Sequence, residues 1–442
     1  MKAVRIVAAL ALLSGCKADA GPDEGAGSDT GTSGSGSSAG TTATTSAASS
    51  TSPTTSSTGP ADDSSGSDSA DASDGGSSST GEAGLVPMFV AQGMLGRTTI
   101  SCDDGTSWIA DRSWDQEGDP LLCGSTDPIR CDETACQYLD ITGECATSDP
   151  CDCGHNPGFA KGIAYGSGHF VATWGWGHPG SIRRSKNGID WEETLSGEDA
   201  MFGGLVFGAD TFVLSSRYPY HSNDGTGWIE GDEADFRGPG GEIVWSVRRL
   251  GFVDVDGGRF VATANPPQSV LITKDLGATW IPPLSIDDAC LASVGSYGGI
   301  ASGNGVIVGV GDDGVACRST DGGDTWTLGS VGGEGIYARV LWTGDEFVTW
   351  APGVRYTSPD GETWSSTTMT PEGVWLGAVA QSEATGTFAA NGRVWDAYEN
   401  QSFYRSSNGV DWEVLPAGSF TGGHYIFEMA FGWAEPSELC PR

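Results

Sequence analysis

One short pattern occurs seven times between residues 101 and 412: a Ser or Thr, then an Asp or Asn, then a Gly, then a Trp. The copies are Ser101 to Trp108, Ser185 to Trp191, Ser222 to Trp228, Thr273 to Trp280, Ser319 to Trp326, Ser358 to Trp364 and Ser406 to Trp412. Successive tryptophans are 83, 37, 52, 46, 38 and 48 residues apart. The long first gap is about two beats and holds a cysteine-rich insertion at about 115–157. A repeat of this length cannot bury an apolar face alone, so its copies must pack on one another. Units of roughly 40–50 residues with four short strands each are the mark of a β-propeller.

Upstream of each copy lie short apolar strands with Gly and Asp turns between them. Gly162-Ile-Ala-Tyr165-Gly166 precedes His169-Phe-Val-Ala-Thr173, and Leu205-Val-Phe207-Gly208 precedes Thr211-Phe-Val-Leu214. Leu250-Gly-Phe252 before Arg259-Phe-Val-Ala262, and Val340-Leu-Trp342 before Glu346-Phe-Val-Thr349, repeat the arrangement. These read as β-hairpins. With 69 Gly and 16 Trp the composition suits a turn-rich β protein. The first copy lacks its inner strand, because Met88-Phe-Val-Ala91 matches a second strand. The spare inner strand is at the far end, where Phe427 to Gly432 matches Gly162 to Gly166. The expectation is an all-β, seven-bladed propeller closed by pairing of N- and C-terminal strands, which leaves no open sheet edge.

In the signature, Asp103, Asn187, Asp224, Asp275, Asp321, Asp360 and Asn408 suit acceptors for turn amides. Trp108, Trp191, Trp228, Trp280, Trp326, Trp364 and Trp412 suit covers for the turn. The pattern resembles the Asp-box, or BNR, repeat of sialidases, sortilin-type receptors and photosystem II assembly factors, and the resemblance spans about residues 86–442. It implies structural roles for these fourteen residues, since Asp boxes occur with unrelated activities. It also implies that ligands meet the face opposite the signature turns.

The N-terminus reads as an address. Lys2 and Arg5 precede the apolar run Ile6 to Leu13, too short to span a bilayer. Leu13-Ser14-Gly15-Cys16 resembles a lipobox, so residues 1–15 are expected to be a lipoprotein signal peptide and Cys16 the lipid attachment. Residues 16–84 are almost entirely Ser, Thr, Gly, Ala and Asp with no aromatic, the composition of a disordered tether. The propeller then occupies 85–442. The net charge of −36 excludes tracking of a nucleic acid by charge and contact with an anionic bilayer other than through the anchor. The expected location is the cell envelope, at the outer membrane or cell surface, as a monomer.

Of eleven cysteines, Cys16 is assigned to lipid, and the other ten suit disulfides in an oxidising compartment. Cys123, Cys131, Cys136, Cys145, Cys151 and Cys153 cluster in the insertion, with their pairing open. A zinc knuckle there would need a paired C-x₂-C spacing, which is absent. Cys290 and Cys317 lie in one repeat and could pair. Cys102 and Cys440 then remain, both in the closing blade, where a bridge would lock the ring.

The loops facing away from the signature turns are rich in rings and carboxylates. Trp174, Trp176, His178, Tyr218, Tyr220, Trp395 and Tyr398 are the candidate ligand-binding residues, led by the stretch Trp174 to Pro179. Such surfaces suit a glycan or protein ligand. The competing reading is an exo-acting carbohydrate enzyme, a glycosidase or sialidase-like hydrolase, with Asp396 and Glu399 as its paired carboxylates. A sialidase's Arg-Ile-Pro motif is absent, and Arg97, Arg183, Arg184, Arg318, Arg355 and Arg405 merely precede signatures. The five histidines have no metal-ligand spacing, and Asp254-Val-Asp256-Gly257 lacks the downstream ligands of a calcium loop. No cofactor or metal is expected.

Overall fold

The structure is a computed structural model that describes residues 84–93, 96–112, 159–175, 180–197, 202–216, 218–231, 247–264, 269–294, 299–311, 314–333, 339–394, 402–415 and 426–442. Seven antiparallel sheets make a closed propeller, six of four strands and one of three. Blades 2 and 3 open with the inner strands Phe159–Gly166 and Leu205–Gly208. Blades 4 and 5 open with Val247–Val253 and Gly299–Gly303, and blades 6 and 7 with Leu341–Trp342 and Val374–Gln381. Inner strands of successive blades touch around a central channel. Blade 1 is assembled from both chain ends. Ile426–Ala434 runs antiparallel along Val86–Gly93, from Val86 opposite Ala434 to Gly93 opposite Ile426. Thr98–Ser101 and Ile109–Arg112 complete it. The closure expected from the register is thus present, and the Cys102–Cys440 disulfide ties the same blade across 338 residues.

Each sheet is covered on both faces by its neighbours, so the second strands are apolar on both faces. Phe170, Val171 and Ala172 are all fully buried. Phe89, Phe170, Phe212, Phe260, Ile307, Phe347 and Phe388 each stand opposite the Ser or Thr that opens a signature. The core is therefore a set of inter-blade layers. One joins Met88 and Val90 of blade 1 to Ile163 and Phe170 of blade 2. Another joins Phe89 to Ala389 and Phe403 of blade 7, where Trp108 stacks on Phe403 at 3.9 Å.

The signature turn joins third and fourth strands. In blade 5, Ser319 donates to Asp321 at 2.8 Å and accepts from the Gly323 amide at 2.9 Å. Asp321 also accepts from the Thr325 amide and hydroxyl, at 2.9 and 2.6 Å. The Trp326 indole donates to the Gly323 carbonyl at 2.9 Å. All seven signature glycines have positive φ, from 69° to 95°. Each also lies against the preceding blade. A Cβ on Gly225 would stand 2.7 Å from Val171, and one on Gly323 would stand 2.8 Å from Ile272. Arg184, Arg318 and Arg405 donate to the carbonyls of Asp224, Asp360 and Asp104 in the next blade's turn. The turn is both a local hydrogen-bonded unit and a clasp between blades.

Blade 4 departs from the four-strand expectation. Its fourth strand is reduced to a single bridge between Ile272 and Ile281. Pro282 and Pro283 follow, and they have no amide hydrogens with which to continue a ladder. The chain instead forms the short helix Asp288–Val294, which packs against blade 5 and is held by the Cys290–Cys317 disulfide. Asp254 to Gly257 falls at the hairpin turn between Val247–Val253 and Arg259–Ala264, and Asp256 pairs with Arg259 at 2.6 Å.

Candidate functional site

Strand direction divides the propeller into two faces. First-to-second and third-to-fourth turns share one face, so the signature turns lie there with the inner hairpins. Inner strands begin at the other face. On the signature face, His169, Arg184, Lys186, Asp190, Glu192 and Glu435 line an open depression of about 250 Å³. Its charges are matched locally, Lys186 with Glu435 at 3.2 Å and Arg184 with Glu192 at 3.3 Å.

The sequence candidates separate. Trp174 is a correction: it is 1% exposed and belongs to the core between blades 1 and 2. Its ring meets Trp191 edge-on at 5.9 Å. The second strand runs unbroken through His169–Gly175, and alternation turns Trp174 toward the preceding blade, which supplies the core that local sequence seemed to lack. Tyr220 is half-buried, donates to Glu230 at 2.7 Å and packs on Phe202 at 5.8 Å. Burial and the Glu230 carboxylate raise its phenol above the ordinary range. Tyr218 is partly buried beside it. Trp176, His178, Trp395, Asp396, Tyr398 and Glu399 lie outside the described residues, as do Cys16, the tether and the six-cysteine insertion. The arginines preceding signatures are engaged in the blades. Arg97 pairs with Asp111 at 2.6 Å, Arg183 with Glu193 at 3.4 Å and Arg355 with Glu346 at 2.7 Å.

A different set of residues meets in the channel. Glu428 is the third residue of Ile426–Ala434, and Arg249 is the third of Val247–Val253. Arg339 comes just before Leu341–Trp342. All three stand near the beginnings of inner strands, at the end of the channel away from the signature turns. Arg249 donates to Glu428 Oε1 at 3.1 Å, and Arg339 pairs with Glu428 Oε2. Blades 1 and 4 are three steps apart in a ring of seven, so the first contact crosses the lumen. Arg339 also donates to the Phe427 carbonyl at 3.4 Å.

The ladder register explains how the layer is built. Glu428 is opposite Gln92, Arg249 is opposite Thr263, and the register extended from Leu341 puts Arg339 opposite Trp350. In the other four blades the corresponding inner residues are Gly162, Gly204, Gly299 and Ala378. At Gly162 and Gly299 a Cβ would run into the backbone of the next inner strand. The layer thus holds three long charged side chains, three glycines and one alanine.

Its charge is unbalanced. Two guanidinium groups share one carboxylate, and among the described residues no second anion reaches them. Burial holds both arginines below the ordinary guanidinium range, and the Arg249 charge lowers Arg339 further. The Glu428 side chain is 5% exposed, against 21% for Arg339 and 33% for Arg249. Behind the charges, the amide of Gln92 and the hydroxyl of Thr263 are buried without a hydrogen-bond partner among the described residues. Near the same mouth, the Arg393 guanidinium lies 4.1 Å over the Trp375 ring, and Phe427 is 38% exposed. Among the described residues no group of three His, Cys, Asp or Glu could hold a metal ion.

No protein-family model matches the sequence, and no curated protein matches it. Solved structures do resemble it in fold. YCF48 bound to a D1 peptide aligns at 11% identity over 70% of this chain and 89% of its own, with a TM-score of 0.44. Virginiamycin B lyase from Staphylococcus aureus aligns at 13% identity over 62% of this chain and 91% of its own, with a TM-score of 0.45. YCF48 from Cyanidioschyzon merolae aligns at 15% identity over 60% and 86%, with a TM-score of 0.43. At these identities the likeness carries nothing about ligand or chemistry.

Proposed function

We propose that this chain is an exported, lipid-anchored propeller of the Asp-box type that binds a glycan or protein ligand at the cell envelope. The observation that carries the reading is the contrast between the two faces. The signature face is closed by near-identical turns whose Ser/Thr and Asp/Asn side chains bond within the turn and whose arginines reach the next blade. The opposite end of the channel brings an unbalanced Arg–Glu–Arg group to a mouth flanked by Trp375 and Phe427. Rigid scaffolds commonly place function on the variable face. The lipobox at Cys16 and the low-complexity stretch behind it support attachment by a long tether. The disulfides Cys102–Cys440 and Cys290–Cys317 suit an oxidising compartment.

Two experiments test this. Membrane fractionation of Cys16→Ala should find the protein released to the soluble fraction, and retention in the membrane contradicts the anchor. The mature protein on combined glycan and peptide arrays should bind specific members without turning over chromogenic glycosides. Turnover would favour the hydrolase reading instead.

A further inference from the structure

We infer that the Arg249–Glu428–Arg339 group is a receptor for a single carboxylate, and that its ligand is the C-terminal end of an extended peptide. The inference rests on the proposed binding face and names what that face takes.

Two arginines and one glutamate leave one positive charge without a counterion among the described residues. An arginine presents five N–H donors in a planar fork suited to carboxylates. Arg249 uses one nitrogen on Glu428, and Arg339 uses one on Glu428 and on the Phe427 carbonyl. Among the described residues, donors therefore remain on both. Burying a cation without a partner is costly, so the arrangement favours an arriving anion.

Access points the same way. The Arg249 and Arg339 side chains are 33% and 21% exposed, whereas the Glu428 side chain is 5% exposed. The more open partners of the group are thus the two cations. Glu428 holds the two forks in place and competes only in part for their hydrogen bonds. Gln92 and Thr263, buried behind the layer without a partner among the described residues, supply polar groups for ordered water around a bound anion.

The kind of carboxylate follows from the lumen and from the whole chain. Side chains from blades 1 and 4 meet across the channel. The pair bridges the lumen at this layer, so a ligand from the mouth would meet it end-on. The chain carries a net charge of −36, which disfavours the approach of a polyanion such as a uronate polymer. A peptide terminus brings one carboxylate and little other charge. Phe427 at the mouth, 38% exposed, offers apolar surface to the residues behind it.

The test uses the mature protein, with N-acetylglycine as the peptide-end probe and its amide and glucuronic acid as comparison probes. Binding is read by calorimetry and by the rise in melting temperature. N-Acetylglycine should bind and its amide should not. Arg249→Gln or Arg339→Gln leaves a neutral Arg–Glu pair, and either should weaken binding by about tenfold or more. Glu428→Gln removes the internal competitor and should tighten binding by about tenfold, a gain that an unfolded variant cannot give. Equal binding of acid and amide, or no gain in Glu428→Gln, overturns the carboxylate receptor. Preference for glucuronic acid overturns the peptide terminus. Array ligands that bind without competition from N-acetylglycine defeat this inference and leave the binding face standing, whereas arrays with no ligand at all defeat the face as well.

Discussion

At the scale of single residues, the signature shows two chemical solutions to one turn. In four of the five Asp copies a hydroxyl feeds the second oxygen: Ser107 to Asp103, Thr279 to Asp275 and Thr325 to Asp321, each at 2.6 Å, and Thr226 to Asp224. Where it is Asn, the side-chain amide needs an acceptor instead, and the residue before the Trp is Asp. Asn187 donates to Asp190 at 2.8 Å, and Asn408 donates to Asp411 at 2.9 Å. Asn187→Asp alone sets two carboxylates against each other and should cost about 1 kcal/mol, read by urea denaturation. Adding Asp190→Thr restores a hydroxyl donor and should recover most of that loss. The Asp copies also set the acid limit. Burial pushes Asp103, Asp275 and Asp321 up, but hydrogen bonds from Ser and Thr outweigh it and hold all three below the ordinary carboxylate range. Hydrogen bonds from Thr226 lower Asp224, and backbone amides of Thr363 and Glu362 lower Asp360. A depressed native value contributes stability that is complete above the unfolded value of about 3.9 and is lost as pH falls through the native value. The melting temperature should therefore drop steeply below about pH 4. Asp321→Asn together with Thr325→Asp, the Asn solution, should not reduce stability at neutral pH by more than about 1 kcal/mol.

At the scale of elements, each signature turn docks on the blade before it, and glycine is what permits the approach. Gly323 has φ of 94° and its missing Cβ would stand 2.8 Å from Ile272. Gly323→Ala adds left-handed strain and a clash and should cost about 2–4 kcal/mol in chemical denaturation. The strands and turns were legible in the sequence because their chemistry repeats: a recurring Phe opposite a recurring Ser or Thr, with Gly and Trp at set distances. The inter-blade direction of side chains was not legible, and so Trp174 looked like a loop ring when it is core. The channel layer did leave a trace. Phe427 to Gly432 matches Gly162 to Gly166 with Glu428 standing where the matching strand has Gly162. A charge replacing a glycine inside a strand that otherwise agrees was the signal. That Arg249 and Arg339 would converge on it depends on distances across the ring, which no local pattern encodes.

At the scale of the whole molecule, the ring closes by joining its two ends. Ile426–Ala434 supplies the inner strand of blade 1, and Cys102–Cys440 fixes that blade. Cys440→Ser should lower stability by roughly 2–4 kcal/mol while leaving the fold closed. Deleting residues 426–442 should do more, because it removes Glu428 and exposes the edge of Val86–Gly93. An unchanged melting temperature after that deletion would contradict the closure. The central claim is that one face binds and the other holds the ring together. The most direct measurement is array binding by the mature protein, comparing Arg339→Gln at the channel mouth with Lys186→Ala at the signature-face depression. Wild type and Lys186→Ala should bind the same ligands, and Arg339→Gln should lose them while still folding. Ligands that survive Arg339→Gln and vanish with Lys186→Ala would show that the faces have been assigned the wrong way round.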